Sequence, residues 1–176
     1  MDWKQFWKVV EGAARPDGAE NFEALKARLA ALPVEDLVGF QTRFDELMTA
    51  ANVIDLWGAA SLINGGCSDD GFRDFRAWLI GRGRHVYEAA LKAPDSLADV
   101  VDGDPVDGFG LDVAAVRVYE EKTGRDDFFD RLDREEAGLP PPPPEGADWD
   151  FEDEGEMRRR FPRLFRLYAA VRETGA

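Results

Sequence analysis

The chain has 176 residues, enough for one domain with or without a tail. Its 22 basic and 36 acidic residues give a net charge of −14, which argues against direct nucleic-acid binding and against docking on an anionic membrane. The single cysteine, Cys67, excludes an intrachain disulfide and suits a reducing cytoplasm.

The opening MDWKQFWKVV has an acid at position 2 and lysines within the apolar stretch, which is no signal peptide. The same segment reads as a first helix. Trp3, Phe6, Trp7 and Val10 recur at helical spacing, and Asp2 with Gln5 forms a capping box. Gly12 and the turn at residues 15–18 close it. A second helix carries Phe22, Leu25, Leu29 and Leu32, with Asn21 as cap. Pro33 opens a third, whose stripe is Leu37, Phe40, Phe44, Leu47, Met48 and Ala51. Residues 53–63 are apolar nearly all round, which predicts a helix at the centre of a bundle. Gly65 and Gly66 stop it.

Ser68-Asp69-Asp70 predicts the start of a fifth helix, with Phe72, Phe75, Trp78 and Leu79 facing inward. A sixth spans residues 86–92 and stops before Pro94. Residues 95–112 hold six Asp and no Lys or Arg, and read as a solvated loop after a short turn at 96–101. Residues 111–122 are helical again, with Val113, Val116 and Tyr119 in register and Gly124 as the stop. Residues 126–138 read as a weak helix.

Pro140 to Pro144 predict a stiff polyproline spacer. Residues 145–156 are strongly acidic. A last amphipathic segment carries Met157, Phe161, Leu164, Phe165, Tyr168 and Val171. Pro162 makes it either one interrupted helix or two short ones, with Pro162 opening the second. No run alternates as a strand would. The expected fold is therefore all-α: a single compact bundle of about seven helices over residues 1–138. A Pro-rich, acidic linker over 139–156 ties it to a C-terminal segment, 157–176, that packs back.

The stretch from Asn52 to His85 gathers the residues on which a site would be built: Asp55, Trp57, Asn64, Cys67, Asp69, Asp70, Arg73 and Arg76. A glycine corner followed by a helix N-terminus suits an anion. The plain alternative is a capped helix start, with Ser68 as N-cap and Asp69 and Asp70 already satisfying the dipole. Asp55 is the one charge in its helix. It reads as a buried acid or base, as the first-turn acid of a helix capped by Asn52, or as a partner of Arg73 or Arg76. Cys67 precedes a helix, but two adjacent aspartates raise a thiol's pKa, so a small inert thiol is the simpler reading. A dyad with His85 has only weak support from the spacing.

One His and one Cys make no zinc site. Asp102, Asp104 and Asp107 are spaced somewhat like a calcium loop, but Val106 takes a ligand position and no helices flank the run. No cofactor and no metal is expected. The arginines at 158, 159, 160, 163 and 166 follow the acidic segment and are expected to pair with it.

Across the fourth and fifth helices, residues 56–60, 62–70, Phe72, Phe75-Arg76 and 78–80 together resemble the domain-of-unknown-function family numbered 4240, frequent in actinobacteria. Asp2-Trp3, Phe6-Trp7, Phe40, Phe44-Asp45, Tyr119-Glu120, Thr123-Gly124-Arg125 and residues 160–164 also match, so the resemblance covers nearly the whole chain. It implies a bacterial cytoplasmic protein and supplies no catalytic residues.

The reading is a non-catalytic protein-binding or regulatory module. Its partner is another protein, a basic one on charge grounds, and neither a nucleic acid nor a membrane. The alternative is an enzyme or small-ligand binder with a polar pocket at the 52–85 corner.

Overall fold

The computed structural model describes residues 1–14, 21–106, 108, 110–132 and 142–174, the last six without their side chains. Among these are nine α-helices: α1 (Trp3–Ala13), α2 (Phe22–Ala30), α3 (Val34–Ala50), α4 (Ile54–Asn64), α5 (Asp69–Gly81), α6 (Arg84–Lys92), α7 (Leu111–Thr123), α8 (Glu154–Arg160) and α9 (Pro162–Thr174). Two 3₁₀ turns, Pro94–Asp99 and Phe129–Arg131, complete the regular structure. The fold is all-α, and Pro162 opens the second of two C-terminal helices. The turn at 15–18, residues 133–138 of the 126–138 segment and part of the proline run lie outside the described residues. Of 126–138, the described part is a single 3₁₀ turn rather than a helix. Among the described residues no helix is long and apolar enough to cross a membrane.

Local chemistry places the ends. The Asp2 carboxylate accepts from the Gln5 amide at 2.7 Å and the Gln5 side chain accepts from Asp2 N–H at 3.1 Å, the capping box read from sequence. Asn21 and Ser68 cap α2 and α5 through the amides of Ala24 and Gly71. Other ends are closed by distant side chains. The Lys122 ammonium donates to the carbonyls of Ala30 and Leu32 beyond α2. At the end of α3, the Tyr87 hydroxyl donates to Leu47 O at 2.7 Å and the Arg76 guanidinium to Met48 O at 2.8 Å. At Ala30 and Met48 such bonds satisfy carbonyls that a helix end leaves orphaned, whereas Leu47 O also accepts from Ala51 N–H at 2.9 Å. The Glu11 carboxylate accepts from Arg84 N–H at 3.1 Å, so α6 starts at Arg84, two residues earlier than predicted.

Residues 53–63 are indeed buried round most of the helix, but α4 is not the centre. It packs on α5, the 94–99 turn, α8 and α9. The helix with neighbours on most sides is α5, which meets α1, α3, α4, α6 and α7. Its last five residues, Ala77 to Gly81, are buried without a break. Helix α7 is a second hub, laying Leu111, Ala114, Ala115, Val118 and Tyr119 across α2, α3 and α5.

Two acidic segments, one expected to be a solvated loop and the other a linker, pack against the helices. In the 94–99 turn, Leu97 is buried, and the Asp95 carboxylate accepts from the amides of Arg163 and Leu164 at the start of α9. Asp99 pairs with Arg163, and the Tyr168 hydroxyl donates to Asp104 O. Within the acidic segment, Trp149 and Phe151 pack on the core. Residues 142–153 thus form a strap across α4.

Burial leads to a pH expectation. The Tyr87 hydroxyl is pushed up by burial, Tyr168 to about 12 by burial and the nearby Asp102 and Asp104, and Tyr119 by its bond to Asp127 and burial. Unfolded tyrosine releases its proton near pH ~10. Each folded-state pKa is raised, so the stability is complete below about pH 10 and lost as pH rises through the folded values. Absorbance titration of the native protein should show no tyrosinate at about pH 10, and the denaturant midpoint should fall above that pH. A tyrosine ionising normally in the native state would contradict this packing.

Candidate functional site

Helix α4 opens without a side-chain cap, since its N-cap position is Val53. The strap closes it instead. Ile54 N–H donates to Glu145 O at 2.8 Å and Glu145 N–H to Asn52 O at 2.7 Å, forming a short parallel bridge. Asn52 is therefore not the cap that the sequence suggested. Its side-chain amide donates to Pro142 O at 2.8 Å and holds the strap down.

One turn on, Asp55 meets the strap again. Its Oδ1 accepts from the Trp149 indole N–H at 3.0 Å and from the Arg160 guanidinium at 2.7 Å. That guanidinium also lies over the Trp149 ring at 4.7 Å. Asp55 is thus partnered, but not by Arg73 or Arg76, and its side chain is 46% exposed, so it is no buried carboxylate. Arg73 pairs with Asp112 at 3.4 Å. Arg76 lies over the Phe72 ring at 4.7 Å as it reaches Met48 O, and burial together with the neighbouring Arg73 charge lowers its pKa.

Trp57 stacks on Phe72 at 4.9 Å with 7° between planes, and its indole N–H donates to Cys67 O at 2.9 Å. Asn64, at the end of α4, exchanges two bonds with the backbone of Val106, donating at 3.0 Å and accepting at 2.9 Å. The side-chain amide acts here as one rung of a ladder and ties the acidic loop to the corner. Gly65 closes α4 in the left-handed region, φ 68°, where other residues are strained. Asp69 and Asp70 stand exposed in the first turn of α5, and His85 is exposed on α6.

The eight residues therefore do not converge on a common point. Asp55 faces the strap, Trp57 the strap and α5, Asn64 the loop, Arg73 α7 and Arg76 the end of α3. Asp102 accepts from Asp104 N–H within its own turn, and Asp107 lies outside the described residues. Among the described residues no three His, Cys, Asp or Glu side chains gather as they would around a metal ion. Sequence reasoning missed Trp149 and Arg160, which lie 94 and 105 residues from Asp55.

Cys67 is half-buried, and its thiol is pushed up to about 11 by burial and the Asp74 charge, against a smaller lowering by Trp57. A nucleophile needs the opposite shift. Alkylation at about pH 8 should run on the order of a hundredfold slower than for a free thiol, and should accelerate only well above that pH. Rapid labelling at neutral pH would contradict this environment.

Fold and corner together define an all-α protein in which the polar side chains from α4 to α5 fasten neighbouring elements. The chain belongs to the family described as Protein of unknown function (DUF4240), whose sequence profile matches residues 1–130. The matched segment stops short of the strap, α8 and α9, and so of the Arg160–Leu164 motif counted in the resemblance. Neither the curated proteins nor the solved structures compared with the chain gave a match.

Proposed function

We propose that the chain is a non-catalytic protein-binding or regulatory module of the bacterial cytoplasm, and that its partner presents a basic surface. One observation carries this reading: exposed carboxylates from three segments are anchored around the ends of α4. Asp69 and Asp70 stand on α5, Asp102 and Asp104 on the loop held by Asn64, and Asp148 and Asp150 on the strap held by Asp55. Carboxylates fixed on packed elements keep a persistent negative potential, which steers a basic partner and spares it much of the ordering cost. An enzyme or small-ligand site at the same corner would need polar side chains free to meet a substrate. Asp55, Asn64 and Arg76 are instead bonded to neighbouring elements.

The test is capture from bacterial lysate on the immobilised chain, beside a variant with Asp69, Asp70, Asp102 and Asp104 changed to Asn. The expected partners are basic, are lost from the variant, and dissociate steeply with salt. Acidic partners, or binding indifferent to both salt and the substitutions, would sink the proposal.

A further inference from the structure

A groove of about 330 Å³ lies between α1, the end of α2 and the start of α3, and none of the acidic-corner residues lines it. Gln5, Lys8 and Val9 line one side, Arg28 and Leu32 the other, and Asp36 one end. On α1, residues 5, 8, 9 and 12 are spaced by three and four, so they share one face. Gly12 is the key to that face. The sequence suggests that it ends the helix, yet α1 runs through Ala13. Its missing side chain has a different use. The Arg28 guanidinium lies against the bare backbone, so that a Cβ on Gly12 would sit 2.5 Å from both Cζ and Nη1.

Arg28 is thereby laid along the groove, and it has no ion-pair partner among the described residues. Lys8 is exposed and likewise without one. The one acid in the lining, Asp36, faces the Met1 ammonium at 3.9 Å. Within this lining, Lys8 and Arg28 thus stand without an acid, beside buried Val9 and half-buried Leu32.

We infer that this groove binds a small organic carboxylate with an apolar body. The guanidinium fork matches a carboxylate in two parallel bonds, and Lys8 adds a second positive charge. Val9 and Leu32 take the apolar body. The volume sits near the low end of the roughly 300–1,000 Å³ typical of ligand sites, which suits a body of modest length. This goes beyond the protein-binding reading, which uses a different set of residues and survives if this one fails.

The test is an amide-resonance titration of the full chain with octanoate, with octylamine, octan-1-ol and acetate as comparisons. Octanoate should saturate, with its shifts confined to α1, α2 and the start of α3. Octylamine and acetate should not saturate, and octan-1-ol should bind more weakly. Lys8→Gln and Arg28→Gln, both at exposed positions, should each weaken octanoate by about tenfold, the loss of one charge-assisted contact. Gly12→Ala leaves every charge in place and favours the helix, yet by dislodging the guanidinium it should weaken octanoate too. Failure of octanoate to saturate, equal binding of octan-1-ol or octylamine, or indifference to Arg28→Gln and Gly12→Ala would each overturn the inference.

Discussion

Gly58→Ala should destabilise the protein by about 2–3 kcal/mol, although alanine is the better helix former. A Cβ at Gly58 would stand 2.3 Å from Cζ2 of Trp149 and 2.8 Å from its Cη2. The indole cannot simply step aside. Its N–H is bonded to Asp55, Arg160 covers its face, and Phe151 meets it edge-on at 4.8 Å. The ring must leave, and its apolar burial leaves with it. The strap's grip on α4 then reduces to the Asn52 and Glu145 bonds and the looser contact of Phe151 with Trp57.

A double-mutant cycle separates this from ordinary helix energetics. In a Trp149→Ala background the clash is gone, apart from the Phe161 edge at 3.3 Å, and the vacated indole, whose centroid lay 6.0 Å from the Phe161 ring, leaves that edge space to shift. There Gly58→Ala should be neutral or stabilising by up to about 1 kcal/mol, the intrinsic preference of alanine over glycine. Urea denaturation gives the energies. A red-shifted tryptophan emission and faster proteolysis within residues 142–174 report release of the strap. A Gly58→Ala protein as stable as the parent would refute the seating of Trp149.

The helices were legible because each carries its own evidence: a cap at Asp2, Asn21 or Ser68, and an apolar stripe with a stop. What closes the helices on one another was not legible. Asn52 looks like a cap because it precedes a helix, and only the strap gives its amide another acceptor. Asp55 looks starved of partners because Arg160 lies 105 residues away. The acidic loop reads as solvated because composition reports charge and not geometry. Asp95 can cap α9 only because Pro162 starts that helix beside the 94–99 turn. Gly12 reads as a stop because the guanidinium that needs its bareness comes from another helix. The eight corner residues stand out in the sequence as polar groups around a glycine corner, but local sequence could not show that their bonds run to five different elements.

The same limit explains why the centre was misplaced, and it sets the second large expectation. Helix α5 opens with Asp69, Asp70, Arg73, Asp74 and Arg76, so its composition reads as half polar, whereas α4 is mostly apolar, with Asp55 its one charge. Yet α5 carries the aromatic row Phe72, Phe75 and Trp78 into the space between α1, α3, α4, α6 and α7. Phe75 is fully buried, 6.5 Å from the Phe72 ring and 5.4 Å from the Trp78 ring.

Phe75→Ala should therefore cost about 3–5 kcal/mol, the loss of the transferred ring plus the cavity it leaves. That is a large part of the roughly 5–15 kcal/mol that holds a domain folded. Phe75→Leu keeps most of the volume and should cost less than about 1.5 kcal/mol. Arg160→Gln, which breaks an ion pair to a half-exposed carboxylate, should cost at most about 1 kcal/mol and less in salt. Phe129→Ala, at a ring 50% exposed, should change stability by no more than about 0.5 kcal/mol. Denaturant midpoints at an unchanged slope measure all four. If Arg160→Gln proved costlier than Phe75→Ala, the strap rather than α5 would be the element that holds the bundle together.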